Sequence, residues 1–564
     1  MRIRIILFIQ LALFSNILLA QKEDIDHKVE VVKAYRPSIS DAYKMNILPR
    51  IIDTTKIQSD FKYQIYPKAL NVDYQLEPIK PAKLEGEPLT KLYQTFIKLG
   101  FGNYFTPLAE IYINKLRSKK SSCGAYYNHL SSSGKLKIRD EKVFAGYSDN
   151  AAGIFGKKFL TRRRTLASDL NFSRNVLYFY GYTPHTYTIT PLEKEDLEQQ
   201  RFLSLSANTY LKNNYTDSLH LNYKFNLDIK HLEDINNVSE NEAKFTGVIN
   251  KFYNTKLFGI TTDIALFNNN LIYDTINSGL LNINPWTSII GEEWRIESGL
   301  CFTADIYNDS VSYHIFKKVH LQYNVVDNFL IPFVGYDGYL QKNSFRNIIS
   351  ENQFISPGLY VNNTDHKIIL FGGVKGNFTS NITYNFKGTY SVIENMYFFV
   401  NDTINHAGTD FFEPSNIQLL NKFSVVYDNI ELLVLHGEIV YKKNEKFNLI
   451  LKGNYYDYKL TKELQAWNKP EFDISLMTKY KLRNKIKLNV NVFAIGSRYS
   501  KTFDNTDGFK LDPYLDANLG IEYRYTKILS AFLNLNNIAG TKYNLWYGYP
   551  VQRFNIMFGL TYAL

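Results

Sequence analysis

Residues 553–564 read Arg-Phe-Asn-Ile-Met-Phe-Gly-Leu-Thr-Tyr-Ala-Leu. Phe554, Ile556, Phe558, Leu560, Tyr562 and Leu564 alternate with Asn555, Met557, Gly559, Thr561 and Ala563. A period of two marks a strand, because successive side chains leave a pleated backbone on opposite faces. One face of this strand is wholly apolar.

The same period recurs upstream. Leu221, Tyr223, Phe225, Leu227 and Ile229 alternate with Asn222, Lys224, Asn226, Asp228 and Lys230. Trp294, Ile296, Leu300, Phe302, Ala304 and Ile306 alternate with Arg295, Glu297, Cys301, Thr303 and Asp305. Ile486 to Val492 and Leu515 to Tyr525 repeat it, with Lys487, Asp516, Glu522 and Arg524 on the polar face. A soluble sandwich would cover such apolar faces with a second sheet. A membrane barrel turns them to lipid and keeps the polar faces round a wet interior.

The connections separate these cases. Counted back from Leu564, long stretches at 537–552, 500–513, 459–472, 401–416 and 344–366 alternate with tight turns at 526–527, 483–484, 443–445, 380–381 and 326–328. Transmembrane barrels keep short turns at the periplasmic end and longer loops at the other. A strand-by-strand count gives 23, but the parity requires Phe423–Asn444 to be a single long strand. The expectation is all-β: a closed antiparallel transmembrane barrel of about 22 strands, with 20 to 24 acceptable.

The start of the chain supports export. Arg2 and Arg4 precede an apolar run, Ile5 to Leu19, and Leu18-Leu19-Ala20 before Gln21 resembles a cleavage site. This predicts a signal peptide over 1–20. Residues 21–89 carry Pro37, Pro49, Pro67, Pro78, Pro81 and Pro88, so an extended periplasmic or lumenal segment is expected there. Residues 90–564 form the barrel. The expected location is the outer membrane of a Gram-negative bacterium, with both termini periplasmic and outer-membrane lipid as a partner.

Composition agrees. Among 564 residues are 43 Tyr and 39 Phe, with charged residues at 21%. No stretch after the leader holds eighteen consecutive apolar residues, which disfavours a helical membrane protein. The formal charge of +11 falls to about +9 without the leader arginines and comes with no nucleic-acid-binding module. Cys123 and Cys301 have the option of pairing in an oxidising compartment.

The ending Trp546-Tyr-Gly-Tyr-Pro-Val-Gln552 with Gly559-Leu-Thr-Tyr562, together with the strand count, resembles the barrel of TonB-dependent receptors. His27-Lys-Val-Glu-Val-Val-Lys-Ala-Tyr-Arg36 resembles their TonB box and the start of their plug. The resemblance implies that Val29, Glu30, Val31 and Val32 add as a strand to a TonB-type periplasmic protein. The family's plug exceeds a hundred residues, and about 68 precede the barrel here. The resemblance is therefore to a receptor barrel without a full plug domain, which puts energy-coupled uptake in doubt.

No catalytic pattern emerges. His129, His220, His231, His314, His320 and His436 lack metal-binding spacing, and no nucleophile elbow is present. The chain reads as a non-enzyme without cofactor or metal. Lys224, Asp228, Arg295, Glu297, Asp305, Lys487, Asp516, Glu522 and Arg524 are expected to line the lumen, either setting selectivity or pairing across strands. Arg162-Arg163-Arg164 is placed in a periplasmic turn. Tyr178, Phe179, Tyr180 and Tyr182 are expected in an outer aromatic girdle.

Two functions fit. The resemblance implies solute transport across the outer membrane. The alternative is a plug-less structural subunit of an outer-membrane complex, favoured by loops short for a large-ligand receptor. A pore this wide must be closed by something.

Overall fold

The computed structural model describes residues 92–564 except 116–117, 119, 139–140, 182–193, 216–218, 273, 402–420 and 503–504. The leader, the proline-containing segment, the box-like Val29–Val32 and Tyr182 lie outside the described residues.

The first third of the barrel holds β1 (Thr95–Gly102), β2 (Thr106–Asn114), β3 (Ser121–Ser132), β4 (Lys135–Ile138), β5 (Glu141–Phe144), β6 (Tyr147–Phe159), β7 (Arg164–Tyr178), β8 (Gln199–Asn213) and β9 (Asn222–Glu233). There follow β10 (Ser239–Tyr253), β11 (Lys256–Asn270), β12 (Thr275–Ile290), β13 (Trp294–Tyr307), β14 (Ser310–Tyr323), β15 (Ile331–Gln341), β16 (Thr364–Thr379), β17 (Ile382–Asn401) and β18 (Phe423–Lys443). The last are β19 (Phe447–Leu460), β20 (Phe472–Leu482), β21 (Ile486–Ile495), β22 (Arg498–Thr502), β23 (Asn505–Leu511), β24 (Tyr514–Arg524), β25 (Leu529–Asn536), β26 (Asn544–Trp546), β27 (Tyr549–Pro550) and β28 (Asn555–Ala563).

All but three small hairpins (β4–β5, β22–β23 and β26–β27) belong to one 22-stranded sheet. It closes where β1 meets β28 antiparallel, Phe96 opposite Ala563 through Gly102 opposite Met557. Closure removes the sheet edges, which in lipid no water would satisfy. The strand total and the single strand Phe423–Lys443 match the sequence expectation.

The period of two becomes two environments. On β28, Phe558 and Leu560 are 61% and 56% exposed, while Met557 and Thr561 are buried. Leu227, Ile229, Leu300 and Phe302 are exposed likewise, on the face opposite Lys224, Asp228 and Thr303. An apolar outer wall of this kind is what a bilayer accommodates. No described helix is long and apolar enough to cross a membrane.

Turns at the end where β1 begins and β28 finishes are short, the tightest at 254–255 and 380–381. Asn254, Asn328, Asn444 and Asn484 take positive φ there. Asparagine tolerates that left-handed conformation, so it serves the hairpins where glycine is more usual. The expected long–short parity holds through the second half of the chain only. Earlier, 103–105, 234–238, 271–274 and 308–309 are tight at the opposite end too. Asn237 and Asn308, both at positive φ, supply the same turn chemistry there.

The two cysteines are both free. Cys123 is exposed on the outer face of β3 and Cys301 is buried on the inner face of β13, so they do not meet.

Candidate functional site

The long connections turn inward over one mouth of the barrel and pack on one another. The connection 342–363 holds a short helix, α1 (Phe345–Glu351), whose N-cap Ser344 accepts a hydrogen bond from the Asn347 amide at 3.2 Å. The apolar side of α1 (Phe345, Ile348 and Ile349) joins a buried core with Leu177, Phe202, Leu232, Phe399, Phe423, Trp546 and Tyr549. These residues come from β7, β8, β9, β17, β18, β26 and β27, so walls far apart round the ring share one core.

Aromatic rings fill its centre. Phe354 stacks on Tyr549 at 3.8 Å, and Tyr180 meets Tyr549 edge-on at 5.0 Å. Trp546 lies 5.3 Å from Phe399 and 5.4 Å from Phe423. Gly181 is required for this approach: a Cβ there would stand 2.4 Å from the Tyr549 ring. The buried phenols keep partners, Tyr180 donating to the Pro550 carbonyl at 3.1 Å and Tyr549 to that of Asn421. Burial raises both phenols well above their ordinary value.

Polar contacts pin this cap to the wall. Glu240, 2% exposed near the end of β10, accepts the Phe345 and Arg346 amides at 2.7 and 3.3 Å. The Arg346 guanidinium donates to Ser204 on β8 at 2.6 Å and to the His231 carbonyl at 3.1 Å. Burial holds that guanidinium below its ordinary value, with Glu240 and Glu242 acting in the other direction. At the far end of α1, Glu351 accepts from Tyr397 at 2.6 Å and from Lys469 at 2.5 Å. Lys469 lies between β19 and β20, half the ring away from β8. The cap thus bridges the mouth.

A second core of Phe398, Val400, Ile430 and the wholly buried Trp467 holds 461–471 against β17 and β18. Asp428 accepts the amides of Thr461, Lys462 and Glu463 at 3.1, 2.9 and 2.9 Å, fixing the turn into that connection.

The expected girdle is corrected here. Tyr178 and Phe179 are 8% and 1% exposed, and Tyr180 is packed against the cap. Tyr178 lies against the β4–β5 hairpin, its ring 5.1 Å from Phe144. A rim aromatic and a loop-core aromatic look alike in sequence; inward-folding connections decide between them.

The nine charges fall on the polar face but do not converge. Two hold the cap: Asp305 accepts from Asn363 at 2.8 Å, and Asp516 from Tyr543 at 2.7 Å. Asp228 accepts from Asn208 and Asn226. Lys487 pairs with Glu522 at 2.9 Å, and Arg295 with Glu297. Lys224 and Arg524 stand near the other mouth. Sequence reasoning missed Glu240, Arg346, Glu351 and Asp428, whose roles arise from contacts between distant loops. Among the described residues, no group of three or more His, Cys, Asp or Glu side chains gathers as metal ligands do.

No protein-family description matches the chain. No curated protein matches it. Solved structures do match in fold. The FrpB iron transporter of Neisseria meningitidis aligns at a TM-score of 0.65 and 7% identity, over 84% of this chain and 82% of that one. The siderophore receptor PirA of Acinetobacter baumannii aligns at 0.62 and 9%, over 85% and 81%. The ferric-catecholate import receptor Fiu of Escherichia coli K12, in its closed form, aligns at 0.61 and 10%, over 84% and 82%. At such identity the likeness is one of fold.

Proposed function

We propose that the protein is an outer-membrane barrel that passes a solute, with the loop-built cap as the gate of its outer mouth. The observation carrying this reading is the buried core that joins opposite walls through α1. Barrels of this strand number need an occluding element, and the cap supplies one at the loop end. The likeness in fold to iron and siderophore receptors supports a transport role. On this reading the bilayer is that of a Gram-negative outer membrane, the loops face outward and both termini face the periplasm. On the same reading a TonB-type protein would add Val29–Val32 as a strand.

Single-channel conductance in planar bilayers tests the proposal. The full chain should be closed, and cap variants at Glu240 or Glu351 should show openings. Removing residues 21–88 separates a second closure from the first. Silent cap variants, with or without that segment, defeat the gate.

One observation favours the alternative of a structural subunit. The connections spend their apolar side chains on each other, and Phe399, Phe423 and Tyr549 are at most 1% exposed. A permanently shut barrel would co-purify with stable partners, and its conductance would stay at zero in every cap variant.

A further inference from the structure

The inner wall pairs its charges by register. Lys98 stands opposite Glu110 at 3.0 Å, Lys230 opposite Glu242 at 3.2 Å and Lys487 opposite Glu522 at 2.9 Å, each a directly facing cross-strand pair. On the barrel wall lysine faces lysine at Lys481 and Lys487, where Glu522 pairs with Lys487, and again at a second place. Near the mouth that carries the chain ends, Lys212 of β8 directly faces Lys224 of β9. Like charges at facing positions repel.

The surroundings add cations. Lys157 on β6 and Arg162 and Arg163 in the β6–β7 turn line the same cavity of about 1040 Å³, and none of its described lining residues is acidic. The framework is ordered by its own hydrogen bonds. Asn222 accepts the Tyr215 amide at 2.6 Å and donates to its carbonyl at 2.8 Å. Asn213 accepts the Tyr223 amide at 2.6 Å and donates to the Leu221 carbonyl at 2.8 Å. Tyr215 in turn carries the Arg163 guanidinium 5.0 Å above its ring. The cations are thus mounted on a built frame.

We infer that this corner of the lumen binds a ligand bearing two or more phosphate or carboxylate groups. An oxyanion between Lys212 and Lys224 turns their repulsion into two charge-assisted contacts, and Lys157 and the Arg162 guanidinium supply cations for a second group. The cavity is at the upper end of the size usual for small-molecule sites. This inference is independent of whether the cap opens.

Pyrophosphate titrated calorimetrically into the detergent-solubilised full chain is the test. Wild type should bind, with affinity falling as salt rises. The double variant Lys212→Gln/Lys224→Gln should bind at least tenfold more weakly, while its unliganded melting temperature is unchanged or higher, because the repulsion is gone. Lys98→Gln, which breaks a paired lysine elsewhere on the wall, should bind like wild type. A parallel titration uses mixed micelles containing cardiolipin, whose headgroup carries two phosphates. Lysine-dependent binding of pyrophosphate assigns the oxyanion to a free solute; lysine-dependent binding of the micelles alone assigns it to a lipid headgroup. If wild type binds neither probe, or the double variant binds equally well, the inference is wrong.

Discussion

Replacing Glu240 by alanine should release α1 while leaving the barrel folded. The carboxylate is 2% exposed and accepts two backbone amides of the helix, those of Phe345 and Arg346. A hydrogen bond to a charged acceptor contributes roughly 1.5–3 kcal/mol, and the 3.3 Å bond belongs at the weak end. Losing both, with two amides left unpaired, should cost about 3 kcal/mol of cap docking, or roughly a hundredfold in local opening. The β10 ladder to β9 and β11 does not depend on this side chain. Hydrogen–deuterium exchange over 344–352 reads the effect. The amides of Ile348 and Asn352, bonded to the Ser344 and Ile348 carbonyls at 3.1 and 2.9 Å, should exchange about a hundred times faster. Glu240→Gln keeps an uncharged acceptor and should fall between. Wild-type exchange in the alanine variant would refute the docking argument. Acceleration spread equally over β9 to β11 would refute the separability of cap and barrel.

Asp428→Ala leaves three amides at 461–463 without their acceptor and should cost about 3 kcal/mol locally; limited proteolysis should then cut 461–471 well before the wild-type chain. Burial raises the Asp234 carboxyl above its ordinary value, although the Val238 and Asn236 amides and the Gln200 side chain pull it back. Its folded state therefore keeps a proton to higher pH than its unfolded state, and the associated stability, complete below the unfolded value, is lost as pH rises through the folded one. Asp234→Asn should accordingly melt higher than wild type at neutral pH, with the gap closing on acidification; a pH-independent gap contradicts this. Leu560→Arg puts a charge on the outer wall of β28 and should cost about 2–4 kcal/mol if it sits near the bilayer midplane. The folded fraction after refolding into liposomes should drop, whereas Leu560→Met should match wild type.

The barrel was legible because lipid and lumen impose opposite demands on neighbouring side chains. Phe558 and Thr561 announce their faces without any partner being known. Phe423–Lys443 was legible through parity alone, since closure with both ends at one mouth forbids an extra reversal. The cap was not. Phe345, Trp546 and Tyr549 meet through connections whose lengths say nothing of their direction, and Tyr178 to Tyr180 satisfy the description of a girdle equally well. Among the charges, Asp305 and Asp516 read as lumenal from the alternation, but their loop partners, Asn363 and Tyr543, lie at separations no periodicity encodes. Lys224 was visible and Lys212 was not, because register between β8 and β9 depends on a connection, 214–221, that has no repeat to count.

The seam between β1 and β28 also sets an order of events in time. Until β28 exists, β1 has an unmatched row of amides and carbonyls, and hydrocarbon offers them nothing. Ring closure joins partners from the two extremes of the barrel sequence, the most entropically demanding contact the sheet makes. The ring therefore stays open, with the β1 edge unmatched, until β28 is in place. A chain without β28 would leave β1 unpaired along that seam, so closure of the ring depends on its last strand.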